Sequence, residues 1–321
     1  MNFKKLCLVL TDKCTASCDF CGFFCAPDKQ QVMPCELMEQ MIDEAKNLGM
    51  KSIGFSGGEP FLYPKLLTEG VSRAREQKMN VTIATNGFWG AWDDEKIKDV
   101  LEKVKPDVIS FSYDFFHKKY VSEEHFMRAI VACSMMGIKT RVYVADMKGD
   151  YAAGRFIKSL SNQKYGIEFS IYPVYRTGRA KNLPKELFLT SDKKEDLGCL
   201  YANTLSVFYN GDVYPCCRYE AFESALKLGN VNGSTLKDVL ESSDVPMICD
   251  VLMKSERFYR LLERAKKQGI DIENCAGCSC DYCWMLFGTE NHKQKMMPFV
   301  EELYSEMLVR SVMNGANENV Q

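Results

Sequence analysis

From residue 5 to about 180 the chain alternates short, β-rich apolar runs with longer amphipathic ones, and this alternation limits the fold more than any other feature. The strand candidates are Leu6–Thr11, Ser52–Ser56, Asn80–Thr85, Asp107–Tyr113, Lys139–Ala145 and Ile167–Pro173. The helix candidates between them are Glu36–Leu48, Pro64–Gln77, Asp94–Lys103, Glu123–Met136 and Tyr151–Ser161. They place apolar residues three and four apart, as in Met38, Met41, Ile42 and Ala45. Strands separated by helices imply βαβ units and a parallel sheet. Six units are too few to close an eight-fold barrel, so the expected fold is α/β, an open, partial (β/α)6 TIM-like barrel. After Gly178 the alternation stops. Leu205–Tyr209, Asn210-Gly211 and Asp212–Cys216 read as a β-hairpin with a type I′ turn. Helical stretches follow near Thr235–Ser242 and Glu256–Lys267, then a cysteine-dense segment and a surface helix over Pro298–Met313. A boundary near 185 divides the chain into a barrel, 1–185, and a smaller C-terminal domain of β-hairpin plus helices, 186–321.

The 321 residues suffice for one large and one small domain. A net charge of −2 gives no field that would draw the molecule onto nucleic acid or an anionic membrane. The apolar start of the chain is cut by Asp12 and Lys13 without a cleavage site, and no run approaches the roughly 20 apolar residues of a membrane span. The chain is therefore expected in the cytoplasm, with neither a nucleic-acid nor a membrane partner. Cysteine is the outlier, at 15 residues against three histidines, His117, His125 and His292. Without an export signal thiols stay reduced, and clustered ones point to metal. The chemistry is thiolate chemistry, zinc or iron–sulfur.

Cys14, Cys18 and Cys21 follow the first strand directly, with spacing C-x3-C-x2-C. A [4Fe–4S] cluster ordinarily takes four cysteines, so three leave one iron open to an outside ligand. A closed zinc site wants four ligands, which Cys25 could complete.

The pattern C-x3-C-x-Φ-C, with Phe20 before the third cysteine, resembles the signature of the radical S-adenosylmethionine (SAM) superfamily. So does Gly57-Gly58-Glu59-Pro60, placed at the end of the second strand. The resemblance implies a [4Fe–4S] cluster on Cys14, Cys18 and Cys21 whose open iron chelates SAM, with the GGEP segment holding the SAM amino group. Thr85-Asn86-Gly87 and Ser112-Tyr113-Asp114 lie at strand C-terminal ends, where barrels keep their sites. Asn86, Ser112 and Asp114 are thus candidates for the SAM ribose or the substrate, or else polar loop starts and caps.

Downstream lie Cys199, Cys216, Cys217, Cys275, Cys278, Cys280 and Cys283. Cys199-x11-Gly211-x4-Cys216 resembles the opening of the SPASM and twitch extensions that carry auxiliary clusters. The continuation here, C-x2-C-x-C-x2-C, departs from the full SPASM pattern and favours one auxiliary cluster, of [4Fe–4S] type. The whole chain is similar to the epipeptide epimerases, which convert L- to D-residues in ribosomally made peptides. The similarity rests on Thr85-Asn86-Gly87-Phe88-Trp89-Gly90, Ser112-Tyr113-Asp114 with His117, Tyr214-Pro215-Cys216-Cys217, and Cys280-x2-Cys283-x2-Leu286-Phe287. It implies that Cys199, Cys216, Cys280 and Cys283 hold the auxiliary cluster, with Cys275 and Cys278 able to displace the last two, and that Cys217 donates a hydrogen atom. It also implies a precursor-peptide substrate and a reductant such as flavodoxin or ferredoxin. The rival readings are a thioether-forming maturase, a protein-activating enzyme and an electron carrier. With the first cluster cysteine at residue 14, no leader-recognition domain precedes the barrel, and the peptide is expected to be gripped by barrel and extension, as an added strand. Cys7, Cys35, Cys133 and Cys249 are expected as buried small hydrophobes. The Arg176–Lys181 run is expected to be solvated or to dock peptide.

Overall fold

A computed structural model describes residues 3–160, 167–190, 197–199, 202–219, 221–222, 224–272 and 278–318. Its centre is one nine-stranded sheet in the order β6-β5-β4-β3-β2-β1-β7-β8-β9. The strands β1 (Lys5–Val9), β2 (Ser52–Ser56), β3 (Asn80–Thr85), β4 (Val108–Ser112), β5 (Lys139–Asp146) and β6 (Glu168–Pro173) pair in parallel, each with its sequence neighbour. The crossovers are α1 (Cys35–Asn47), α2 (Pro64–Glu76), α3 (Asp94–Val104), α4 (Glu123–Met135) and α5 (Ala153–Ser159). Local chemistry starts several of them. Pro64 sits in the first turn of α2, and Asp93 and Ser122 accept from Lys96 N and His125 N as N-caps of α3 and α4.

Alternation along the strands separates two faces. Leu6, Leu8, Ile53, Phe55, Val81, Ile83, Ile109 and Phe111 join Met38, Met41 and Ile42 of α1 in one apolar core beneath the helices. The residues between them, such as Cys7, Gly54, Ser110 and Ser206, belong to the opposite face.

The open, six-strand arc is as expected, but it carries five crossover helices. Between β6 and the next strand the described residues hold only the 3-10 turns Gly178–Asn182 and Lys185–Leu187. The expected boundary at 185 falls in the second of these turns, and the sheet runs on across it. Strand β7 (Thr204–Phe208) pairs in parallel with β1 along its whole length, Cys7 opposite Ser206 and Val9 opposite Phe208. β8 (Asp212–Tyr214) and β9 (Gly229–Asn230) then add antiparallel.

The β7–β8 hairpin forms, with a different turn. Asn210 does not take positive φ; Gly211 does, at +85°, and its N–H donates to Phe208 O, giving a three-residue loop. β8 also stops at Tyr214, because Pro215 has no N–H to continue the ladder. Cys216 and Cys217 therefore lie in a bend and not in a strand. The helices α6 (Leu236–Glu241), α7 (Val245–Leu252), α8 (Ser255–Lys267), α9 (Ser279–Phe287) and α10 (Glu290–Glu318) complete the chain, α10 beginning earlier than expected. Among the described residues no helix is long and apolar enough to cross a membrane.

Candidate functional site

The first cysteine loop is pinched at its base. Bridges join Lys13 to Ala26 and Thr11 to Val32, and Cys14 N donates to Ala26 O at 3.1 Å. The end of β2 is laid onto this base: Gly58 N donates to Thr11 O at 2.7 Å and Glu59 N to Lys13 O at 2.9 Å. The contact is so close that only glycine fits. An added Cβ at Gly58 would stand 2.2 Å from Lys13 O and 2.9 Å from Cys14 Cβ.

Above this base a single cavity is lined by Cys14, Cys18, Cys21 and Cys25, by Gly57, Gly58, Asn86 and Ser112, and by Phe20, His117, Arg179 and Tyr219. Three βα units and both halves of the chain thus meet the expected cluster loop. Phe20 is buried, its ring edge-on to Phe116 and His117. Asn86 Nδ2 lies 3.0 Å from Thr15 Oγ1 and 3.6 Å from Cys14 Sγ.

Glu59 and Pro60 are not part of the cavity lining. Glu59 is fully buried; its carboxylate accepts from Phe61 N at 3.1 Å, Asn86 N at 2.8 Å and Thr85 Oγ1 at 2.9 Å. Burial pushes its carboxyl up to about 7, against these hydrogen bonds. The carboxylate fixes the turn that presents Asn86. Asp114 is spent in the same way. Its Oδ1 accepts from Phe116 N and His117 N and faces His117 Nδ1 at 2.9 Å, and its Oδ2 accepts from Ala145 N. His117 is what reaches the cavity. Burial disfavours its charge, but Asp114 and then Cys18 outweigh that and hold the imidazolium well above its usual range.

Sequence reasoning missed two residues here. Arg179 sits inside a run read as solvated or peptide-docking, yet Nε donates to Cys18 O at 2.9 Å and Nη2 to Cys25 O at 2.7 Å. Tyr219 packs directly over Gly22, where an added Cβ would lie 2.3 Å from Tyr219 Cβ. Both contacts span more than 150 positions, and no local pattern announces them.

The second cysteine group is dispersed over three elements. Cys199 N donates to Leu252 O at the end of α7, and Gly198 N to Ser279 Oγ at the start of α9. Burial raises the Cys216 thiol well above its usual range, reinforced by Cys199, Cys217 and Cys283 nearby. Cys278 is set apart: it is the N-cap of α9, its sulfur accepting from Asp281 N. A hydrogen bond from Cys280 lowers its thiol to about 7 against burial, with Tyr175 helping. Cys275 lies outside the described residues. Cys217 lies near both Cys216 and Cys7 of β1: its charge raises both thiols. Cys133 and Cys249 are buried in helices as expected, and Cys7 is buried in β1; Cys35 is half-buried and donates to Glu69 Oε2 at 3.2 Å.

Residues 8–147 match a model of the Radical SAM superfamily, and residues 199–279 match that of SPASM, an iron–sulfur cluster-binding domain. The chain is 24% identical over 318 residues to a Bacillus subtilis protein named "Putative peptide biosynthesis protein YydG", covering 95% of this chain and 99% of the relative. A stretch of 105 residues is 32% identical to the PqqA peptide cyclase of Granulibacter bethesdensis, 32% of this chain and 27% of that one. Among solved structures, native anSMEcpe with bound AdoMet and Kp18Cys peptide has a TM-score of 0.57 at 14% identity, covering 98% of this chain and 99% of that chain. Streptococcus suis SuiB bound to S-adenosylmethionine has a TM-score of 0.51 at 17% identity, covering 78% and 68%. At these identities the structural likeness speaks to fold. The cofactors that follow are SAM, a [4Fe–4S] cluster and an auxiliary iron–sulfur cluster. The residues fit them: the three soft thiol donors Cys14, Cys18 and Cys21 line one cavity together with Gly57 and Gly58.

Proposed function

We propose, from the premise that this is a radical SAM protein with a SPASM domain, that it modifies a ribosomally made precursor peptide by converting L-residues to D-residues. When bound, SAM and its cluster supply the 5′-deoxyadenosyl radical that removes a Cα hydrogen. In this reading Cys14, Cys18 and Cys21 hold the cluster and leave one iron free. Gly57, Gly58, Asn86, Ser112 and Phe20 wall the SAM pocket, while Glu59 and Pro60 shape it from behind. Asp114 orients His117 toward the cavity. Cys199, Cys216 and Cys283, with Cys280 completing the set, hold the auxiliary cluster.

Cys217 holds the hydrogen that returns to the opposite face of the Cα. A thiol S–H is weak enough to give up its hydrogen to a Cα radical, and reduction of the sulfur by one electron, with one proton, draws the transfer toward the peptide. The observation that carries the reading is the place of Cys217 between the two cysteine groups. It neighbours Cys216, which has Cys199 and Cys283 beside it, and also Cys7 of β1, and Tyr219, two residues on, lines the cavity of the first cysteine loop. A peptide substrate agrees with the names of the relatives YydG and PqqA peptide cyclase. The electrons come from a flavodoxin or ferredoxin, in the cytoplasm.

The test is mass spectrometry of a peptide encoded beside the gene, incubated anaerobically in D2O with reduced enzyme and SAM. A gain of one deuterium per modified residue, with no other change, supports epimerisation. Loss of two hydrogens means a cross-link, and Cys217 is then not a donor.

A further inference from the structure

We propose that Arg179 is a positioning residue of the first cysteine loop, gripping its second half from Cys18 to Cys25 and setting a positive charge beside the cluster it carries. The loop runs from Cys14 to Cys25 and has little regular structure: Cys21 N donates to Cys18 O at 3.0 Å, and Phe24 is held at a left-handed φ of 54°. A segment of that kind does not order itself.

The segment after β6 orders it from outside. Gly178 rests on Gly22, where an added Cβ would stand 2.4 Å from Gly22 Cα and 2.6 Å from Cys21 O. Arg179 N donates to Cys21 O at 3.1 Å. The Arg179 side chain then reaches Cys18 O and Cys25 O, so one residue satisfies carbonyls at three points of the loop. The planar guanidinium fork is suited to this, because its donors are fixed relative to one another, whereas an ammonium is a single point. Arg179 is half-buried and lines the same cavity as Cys14, Cys18 and Cys21. A fixed positive charge at this place favours the more negative, reduced state of a cluster bound there.

The two roles separate in Arg179→Lys and Arg179→Met. Hydrogen exchange of the apoprotein peptide spanning 14–26 reads the loop, and redox titration of the anaerobically reconstituted protein, followed by electron paramagnetic resonance, reads the charge. We expect exchange at least tenfold faster in both variants, and a reduction potential that becomes more negative in Arg179→Met while staying near wild type in Arg179→Lys. Wild-type exchange in both variants, or a wild-type potential in Arg179→Met, overturns the proposal. Should Arg179→Met fail to fold, Arg179→Lys and Arg179→Gln carry the same two measurements.

Discussion

Thr85 Oγ1 donates to both oxygens of the buried Glu59, at 2.9 and 3.0 Å, and itself receives Trp89 Nε1 at 3.1 Å and Gly87 N at 3.0 Å. This knot ties the end of β2 to the end of β3 and so sets the two turns that line one side of the cavity of the first cysteine loop. Because Glu59 titrates near 7 in the folded chain against 4.5 when free, folding is favoured by its protonated form. That stability is fully present below pH 4.5 and is lost as pH rises through 7, a change on the order of 3 kcal/mol. Glu59→Gln removes the titration, but turns an amide N–H₂ toward a backbone N–H. We expect it to be less stable at pH 5 by about 1–3 kcal/mol, with the gap to wild type narrowing at pH 8. Urea unfolding of both apoproteins at the two pH values checks this; a gap that stays constant refutes it.

Gly58→Ala forces a methyl onto Lys13 O, which is backbone and cannot swing aside. Overpacking of this kind costs about 1–3 kcal/mol, and here the strain falls at the foot of the first cysteine loop. The expected result is a lower melting temperature together with iron lost from the first cluster after reconstitution, and auxiliary iron retained. Iron counting against a Cys199→Ala control, which should lose the other share, distinguishes the two.

Cys217→Ala should still release 5′-deoxyadenosine from SAM and keep its full iron content, yet yield no epimerised peptide. Cys216→Ala should lose auxiliary iron. Equal iron loss in both variants would make Cys217 a ligand.

Strand β1 lies between β2 and β7, hydrogen-bonded to both. Residues 1–185 expressed alone would leave β1 as a bare edge and uncover Leu6 and Leu8 where they pack with Leu205 and Val207. We expect that fragment to be insoluble, and the whole chain to unfold in one calorimetric transition. A soluble, cooperatively folding fragment would show that the two halves are independent.

The parts legible in the sequence are those written in local chemistry. Ser52–Ser56 and Asn80–Thr85 could be delimited from their alternation, and α2, α3 and α4 from Pro64, Asp93 and Ser122 at their starts. The three cysteines of the first loop and the glycine pair were visible because close spacing and a missing side chain are themselves local facts. What could not be read depends on partners far along the chain. Nothing near Leu205 says that its strand will lie beside Leu6, and nothing near Arg179 names Cys18, 161 positions away. The roles of Glu59 and Asp114 were hidden in part for the same reason: each also binds one distant backbone N–H, Asn86 N and Ala145 N, and such a carboxylate looks, in sequence, like one offered to a ligand. The end of β8 at Tyr214 was readable in principle, since Pro215 announces it.

Tyr219 gives the cavity of the first cysteine loop, proposed to hold SAM, a wall from the second half of the chain. During synthesis the three cysteines emerge first, and the chamber beside them stays unfinished until more than 200 residues have been made. A truncated product, or a chain whose later half has come loose, thus exposes its first cysteine loop without an enclosed place to hold SAM. In the proposed reading, the arrangement ties the making of a reactive radical to the completion of the chamber that contains it.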